Sequence, residues 1–257
     1  MVTGFYRMAI AAVLVGFFLL VRRTPPASFR PGAGIALASG LCFGTDLALW
    51  QTAVVKTSVA TATFLVNTTP VALGLWAVLV RRQRLAPRFM VGAAIAMTGT
   101  AVLLGISWKD DLDWEGAWLA LAAALFYAGY LLLMATARSQ AEALPAFFLA
   151  TMGAAVALGT IAAVRGDPFH GFPASSWAAI GAAAVVSQIG GVFGIVWALR
   201  YAPATLASVV LLVQPVGAAI LGWLILGETL GPLQSLGGIA VAAGIFLAAR
   251  GPVESPR

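Results

Sequence analysis

Asp46, in the run "FGTDLALW", is the only acidic residue placed well inside a long apolar stretch of this sequence. Counted from Gly32, it lies roughly 21 Å along a helix rising ~1.5 Å per residue. A carboxyl group at that depth can exchange a proton or pair with a cationic group of a ligand, because ionisable groups in a bilayer are costly and are kept for function. The competing reading is an aspartate solvated at one interface or hydrogen-bonded to a neighbouring helix. Arg7, near the end of the first apolar stretch, can hold a carboxylate through two parallel hydrogen bonds. Its alternative is to snorkel toward lipid headgroups.

Asn67 and Thr68 stand with Thr69 just before Pro70, and Gln214 stands just before Pro215. A proline removes one helical hydrogen bond and frees the carbonyl four residues earlier, here Val66 and Leu211. Polar groups beside such breaks either line a substrate site at mid-membrane or hydrogen-bond adjacent helices to hold a bundle together. Trp50 with Gln51, and Ser187 with Gln188, complete the polar set within apolar stretches. Tyr127 and Tyr130, about one helical turn apart near mid-stretch, are placed to line a cavity, where aromatic faces can cover a ring or a cation. Trp108, Trp114 and Trp177, at stretch ends, fit an interfacial aromatic belt. The site expected from residue type and spacing is therefore Arg7, Asp46, Trp50, Gln51, Asn67, Thr68, Tyr127, Tyr130, Gln188 and Gln214.

Catalytic chemistry has little support. Within the apolar stretches there is no Ser/His or Cys/His pairing, no HExxH helix, no paired aspartates and no phosphate-binding glycine loop. His170, alone in "RGDPFHGFP", lacks a second metal ligand nearby and reads as a solvated loop residue. Asp110, Asp111, Asp113 and Glu115 form a water-exposed acidic turn. For Glu228, in the turn before the last apolar stretch, capping the helix that follows is the simpler expected role. The single cysteine, Cys42, excludes an intramolecular disulfide and reads as a small packing residue. No enzyme, cofactor or metal is expected.

The elements that must carry these residues are set by composition. Of 257 residues 61% are apolar and 9% charged, too apolar for a soluble domain of this length. Long unalternating apolar runs point to an all-α, polytopic membrane helix bundle rather than a barrel. The net charge of +6 is scattered through short loops and forms no nucleic-acid patch. Runs of about 20 residues fall at 3–21, 32–54, 58–80, 87–106, 115–136, 144–164, 174–199, 203–225 and 232–250, which makes about nine helices. No cleavable signal peptide is evident.

The stretch Thr57–Leu104 falls on Ala202–Ala249 when moved forward by 145 residues without a gap. Only 8 of the 48 positions are identical. Yet Pro70 meets Pro215, Pro87 meets Pro232, Gly92 meets Gly237 and Gly99 meets Gly244, residues that mark kinks and close helix contacts rather than filling space. This is an internal repeat. Its first copy carries Arg81, Arg82, Arg84 and Arg88 between two apolar segments, where the second has Leu226, Gly227, Thr229 and Leu233. Cytoplasmic loops collect Lys and Arg, so the two connections belong on opposite sides and the repeat is inverted. Over the whole chain eleven Lys and Arg fall on one side and four on the other, which places the C-terminus in the cytoplasm.

That arrangement sets the N-terminus outside, and the helix at 115–136 would find its partner about 30 residues before Met1. The expectation is five helices twice, with the first one lacking here. Residues 1–106 are then an incomplete first repeat of four helices, 115–250 a second of five, and 251–257 a short cytoplasmic tail.

The phrases "AVVKTSVATATFLVNTTPV", "ALRYAPATLASVVLLVQPV" and "LGETLGPLQSLGGIAVAAGIFL" resemble the EamA branch of the drug/metabolite transporter superfamily, over nearly the whole chain. The pattern is a helix end, a short Ala/Ser/Thr turn, a helix ending in Pro-Val, then Gly-Glu and a glycine-rich last helix. The resemblance implies ten helices around a central cavity, movement of small metabolites, and no ATP hydrolysis. Under it Arg7 looks like the arginine that often opens the family's second helix. The expected function is a secondary transporter, an exporter of small organic metabolites such as amino acids, working by alternating access in a bacterial inner membrane with protons as a candidate coupling ion. The alternative is a membrane protein that inserts but needs an upstream helix or partner for activity. GxxxG pairs such as Gly40/Gly44 and Gly190/Gly194 serve packing within the bundle or, alternatively, a homodimer.

Overall fold

A computed structural model describes residues 1–106, 113–227 and 229–250. The described residues form helices joined by short turns and irregular connections, with no strand among them. In chain order the helices are α1 (Val2–Val21), α2 (Ala33–Lys56), α3 (Val59–Val66), α4 (Thr69–Leu79), α5 (Pro87–Leu103), α6 (Trp114–Gln140) and α7 (Ala143–Arg165). They continue with α8 (Ala174–Ala183), a π-helical segment (Ala184–Val192), α9 (Phe193–Ala198), α10 (Ala204–Val210), α11 (Val213–Leu221), a second π segment (Gly222–Leu226) and α12 (Pro232–Ala249).

Taken with their short breaks, eight of these stretches are long and apolar enough to cross a membrane, and the 17-residue α5 is apolar but shorter. They coincide with the nine expected stretches to within a few residues. In a bilayer every backbone polar group must be satisfied within the chain, which is why apolar sequence of this length resolves into helices.

The 145-residue offset relates whole elements. It carries α1 onto α7, α2 onto the stretch from α8 through α9, α3 onto α10, α4 onto α11 and α5 onto α12. The breaks agree as well. α3 gives way to α4 at Asn67–Thr68, and α10 to α11 at Leu211–Leu212. At the first break the carbonyl that Pro70 leaves without an amide partner, Val66 O, accepts the Thr69 hydroxyl at 2.8 Å. At the second, Leu211 O accepts the Gln214 amide at 3.0 Å. The proline kinks are thus satisfied from within the chain at both places.

The chain divides into two compact units, one made of Met1–Gln51 with Gly129–Ala202 and the other of Thr52–Ala128 with Pro203–Arg257. Each draws on both halves of the sequence. In the second unit α5 and α12 cross with their glycines interlocked. A Cβ on Gly99 would stand 2.7 Å from the Gly237 carbonyl oxygen, and one on Gly237 would stand 2.8 Å from that of Gly99. Phe89, Ala96, Val209, Leu212, Val241 and Ala248 form a buried cluster around this crossing. Backbones approach this closely only where side chains are absent, and close packing rather than hydrophobic force holds helices together in lipid.

In the first unit α7 is the central element. It packs against α1, with Phe148 under Gly16 and Leu158 under Gly4, and against α2, with Ala150 under Gly40 and Ala154 under Gly44. Residue numbers run oppositely in the first pairing and together in the second, so α1 is antiparallel to α7 and α2 is parallel to it. Cys42 packs near Gly129 of α6 as a small residue. Gly190 and Gly194 do not repeat the behaviour of Gly40 and Gly44. Both are exposed, and a Cβ on Gly194 would meet nothing within 4 Å among the described residues. Gly190 lies in the π segment and Gly194 beyond it, so a spacing of four no longer sets the two on one α-helical face.

Candidate functional site

Six of the ten expected residues lie in the first unit: Arg7, Asp46, Trp50, Gln51, Tyr130 and Gln188. Asn67, Thr68, Tyr127 and Gln214 lie in the second. The two groups differ in how their polar atoms are used.

In the second unit the side chains beside the α3–α4 break are spent locally. Asn67 Nδ2 donates to Thr63 O at 2.8 Å, and the Thr68 hydroxyl donates to Leu65 O at 2.7 Å. Both carbonyls also accept a backbone amide, from Asn67 and Thr68 respectively, so the two side chains fold back onto the turn that precedes the break. Thr69, the first residue of α4, also reaches Ala124 O of α6 at 3.4 Å. Tyr127 is half-buried on α6, and Gln214 is exposed on α11.

In the first unit three of the expected residues keep a buried polar atom that has no partner among the described residues. Asp46 is 5% exposed, and its Oδ1 has no hydrogen-bond partner among the described residues. Gln188, 1% exposed in the middle of the π segment, leaves Oε1 without a partner. The Arg7 Nε is buried and likewise unbonded. An aspartate or arginine at the centre of a spanning helix costs roughly 2.5–3.5 kcal/mol on insertion scales. Buried polar groups left unbonded are few in folded proteins, and those that occur cluster where function requires them. π-Helical turns mark functional sites often enough to point the same way.

The surrounding elements fix these positions. Gly4 of α1 leaves room for Gln51 of α2, whose Nε2 would stand 3.0 Å from a Cβ there. α1 also packs against the π segment that carries Gln188. Phe43, one turn before Asp46 on α2, stacks on Tyr130 of α6 with ring centroids 4.8 Å apart and 28° between planes. Tyr130 is thus a buried member of an aromatic pair, and Trp50 is half-buried one turn beyond Asp46.

Several residues escaped the sequence reading. Thr151 of α7 is buried with its hydroxyl unbonded, as is Thr205 of α10; each is a polar residue inside an apolar run and carries that signal. Arg138, expected among loop charges, is 3% exposed and donates from Nε to Val196 O at 3.0 Å and from a terminal nitrogen to Ala141 O. Trp177 packs on Tyr6 at 4.7 Å, and the Tyr6 hydroxyl donates to Phe169 O at 2.7 Å. His170 is exposed. Among the described residues no group of three or more His, Cys, Asp or Glu could hold a metal. Trp108, Lys109, Asp110, Asp111, Glu228 and the tail 251–257 lie outside the described residues.

A family model described as the EamA-like transporter family matches residues 1–105 and 114–250. No curated protein matches. A solved crystal structure of a protein 18% identical in sequence aligns with a TM-score of 0.76, covering 96% of this chain and 86% of its own, a likeness of fold alone.

Proposed function

Because this chain belongs to the EamA-like transporter family and is an integral membrane transporter, we propose that it is a secondary carrier exporting small organic metabolites such as amino acids. The two repeats move against each other so that the substrate site opens to one side of the membrane at a time. The observation that carries this reading is the reciprocal contact of α5 with α12. Helices equivalent by sequence meet antiparallel, the relation expected of inverted repeats in carriers of this kind.

Substrate contact falls on Asp46, Gln188 and Arg7, supported by their buried, unbonded polar atoms. Protons are the coupling ion in this reading, with Asp46 as the exchanging group. The excess of Arg in alternate loops supports a cytoplasmic C-terminus in a bacterial inner membrane.

The test is flux. Purified protein in proteoliposomes, loaded with and exposed to a panel of labelled metabolites, should exchange at least one class faster than liposomes without protein. Absence of exchange across the whole panel in sealed vesicles would remove the carrier reading.

A further inference from the structure

Arg7 and Asp46 stand at one level of the first unit, and α7 measures it. From the contact of Gly4 with Leu158, three residues along the antiparallel α1 bring Arg7 level with Ala155; from the contact of Gly44 with Ala154, two residues along the parallel α2 bring Asp46 level with Val156. One residue on α7 is about 1.5 Å of rise. A basic and an acidic side chain thus sit at the same depth on two helices that flank a third. No ion pair joins them, since neither belongs to any of the salt bridges found among the described residues. Both keep a buried polar atom unbonded: Nε, a donor, on Arg7, and Oδ1, an acceptor, on Asp46. Gln188 Oε1, a second unbonded acceptor, comes from the π segment that packs on α1.

We infer that the first unit binds a zwitterion by its two ends, Arg7 taking the substrate's carboxylate and Asp46, with Gln188 Oε1, taking its ammonium group. This rests on the carrier reading above and narrows it to a charge class. A basic and an acidic group that do not pair with each other are both satisfied by a ligand carrying the complementary pair of charges, which holds the aspartate ionised while it is bound. A guanidinium holds a carboxylate in a planar, two-point fashion. An ammonium has three donors and suits a site made of acceptors alone. A ligand with only one charge would leave the other residue buried and unpaired, the situation that costs binding most.

The test compares compounds that share a side chain and differ in which charged group they carry. Proteoliposomes are assayed for counterflow of labelled amino acids, and each amino acid that exchanges is challenged with its decarboxylated amine and its deaminated acid. In the native protein the amine and the acid should each compete at least about tenfold more weakly than the amino acid, as expected for loss of one charge-assisted contact. Asp46→Asn should selectively reduce discrimination against the acid, and Arg7→Gln should selectively reduce discrimination against the amine. That crossed pattern is one a purely structural role would not produce. Equal competition by all three compounds in the native protein, or exchange confined to uncharged or singly charged metabolites, overturns the zwitterion inference while leaving the carrier intact. No exchange of any metabolite overturns both. Should the variants misfold, judged by elution and thermal unfolding in detergent, competition in the native protein alone decides.

Discussion

Gly92 and Gly244 meet backbone to backbone: a Cβ on Gly92 would stand 2.6 Å from the Gly244 carbonyl oxygen, and one on Gly244 would stand 2.6 Å from that of Gly92. Gly99 and Gly237 repeat the relation one turn-pair along the same crossing. Since Gly92 corresponds to Gly237 and Gly99 to Gly244 across the 145-residue offset, exchanging the two helices maps each contact onto the other. That is the self-complementary contact of a two-fold axis, found here within one chain. An antiparallel pair of equivalent helices means that the two copies run through the bilayer in opposite senses.

The first prediction concerns that contact. Gly92→Ala or Gly244→Ala sets a methyl group against backbone that has no side chain to move aside, so the helices must separate. The expected loss is about 1–3 kcal/mol, the usual cost of overpacking, read as a lower unfolding midpoint in detergent. Gly181→Ala in α8, where an added Cβ meets nothing within 4 Å, should be neutral or stabilising by up to ~1 kcal/mol. Equal effects at both sites would show that α5 and α12 are not interlocked.

A second prediction follows from orientation. The turns that precede Pro87 and Pro232 open antiparallel helices, so they belong to opposite compartments. In a Cys42→Ser background, single cysteines at Gln83 and Thr229 should label oppositely with a membrane-impermeant maleimide in intact cells, and both should label after permeabilisation. Labelling of both from the same side would break the inverted-repeat reading.

The repeat, the apolar helical stretches and the kinks are legible because they rest on prolines, glycines and apolar length, which act locally. The π segment is not. "AVVSQIGGV" holds no proline, and its winding depends on what packs against it rather than on its own residues. Arg138 was misplaced for a related reason. The apolar run ends at 136, but α6 continues to Gln140, so the arginine is buried where two carbonyls receive it. Asn67 and Thr68 were rightly seen as polar groups at a break, yet whether a side chain serves the break or a ligand depends on hydrogen-bond geometry that sequence does not carry.

The third prediction separates function from stability in the first unit. Gln188→Leu removes a buried oxygen that has no partner, so the folded state should be unchanged or more stable by up to about 1–2 kcal/mol. Substrate exchange should fall by at least tenfold. Asp46→Asn should likewise insert and fold normally while losing flux driven by an imposed pH gradient. Undiminished gradient-driven transport by Asp46→Asn would remove that carboxylate from the coupling step, and a large loss of stability in Gln188→Leu would make the glutamine a structural residue instead.

Arg138 supplies the fourth. Its guanidinium joins the end of α6 to α9 through Val196 O and closes on Ala141 O, so it satisfies the carbonyls of two buried residues. Arg138→Gln keeps one donor group but shortens its reach, and Arg138→Leu removes the donors altogether. Leaving a buried carbonyl unbonded costs about 1–3 kcal/mol. Arg138→Leu should therefore lower the unfolding midpoint in detergent clearly, and Arg138→Lys, which retains the charge without the planar fork, should fall between it and the native protein. Because the residue touches no member of the proposed site, the ranking of substrates in competition assays should be unchanged in whatever fraction of the lysine variant folds. If Arg138→Lys changes that ranking instead of stability, the arginine belongs to the transport pathway rather than to the join between α6 and α9.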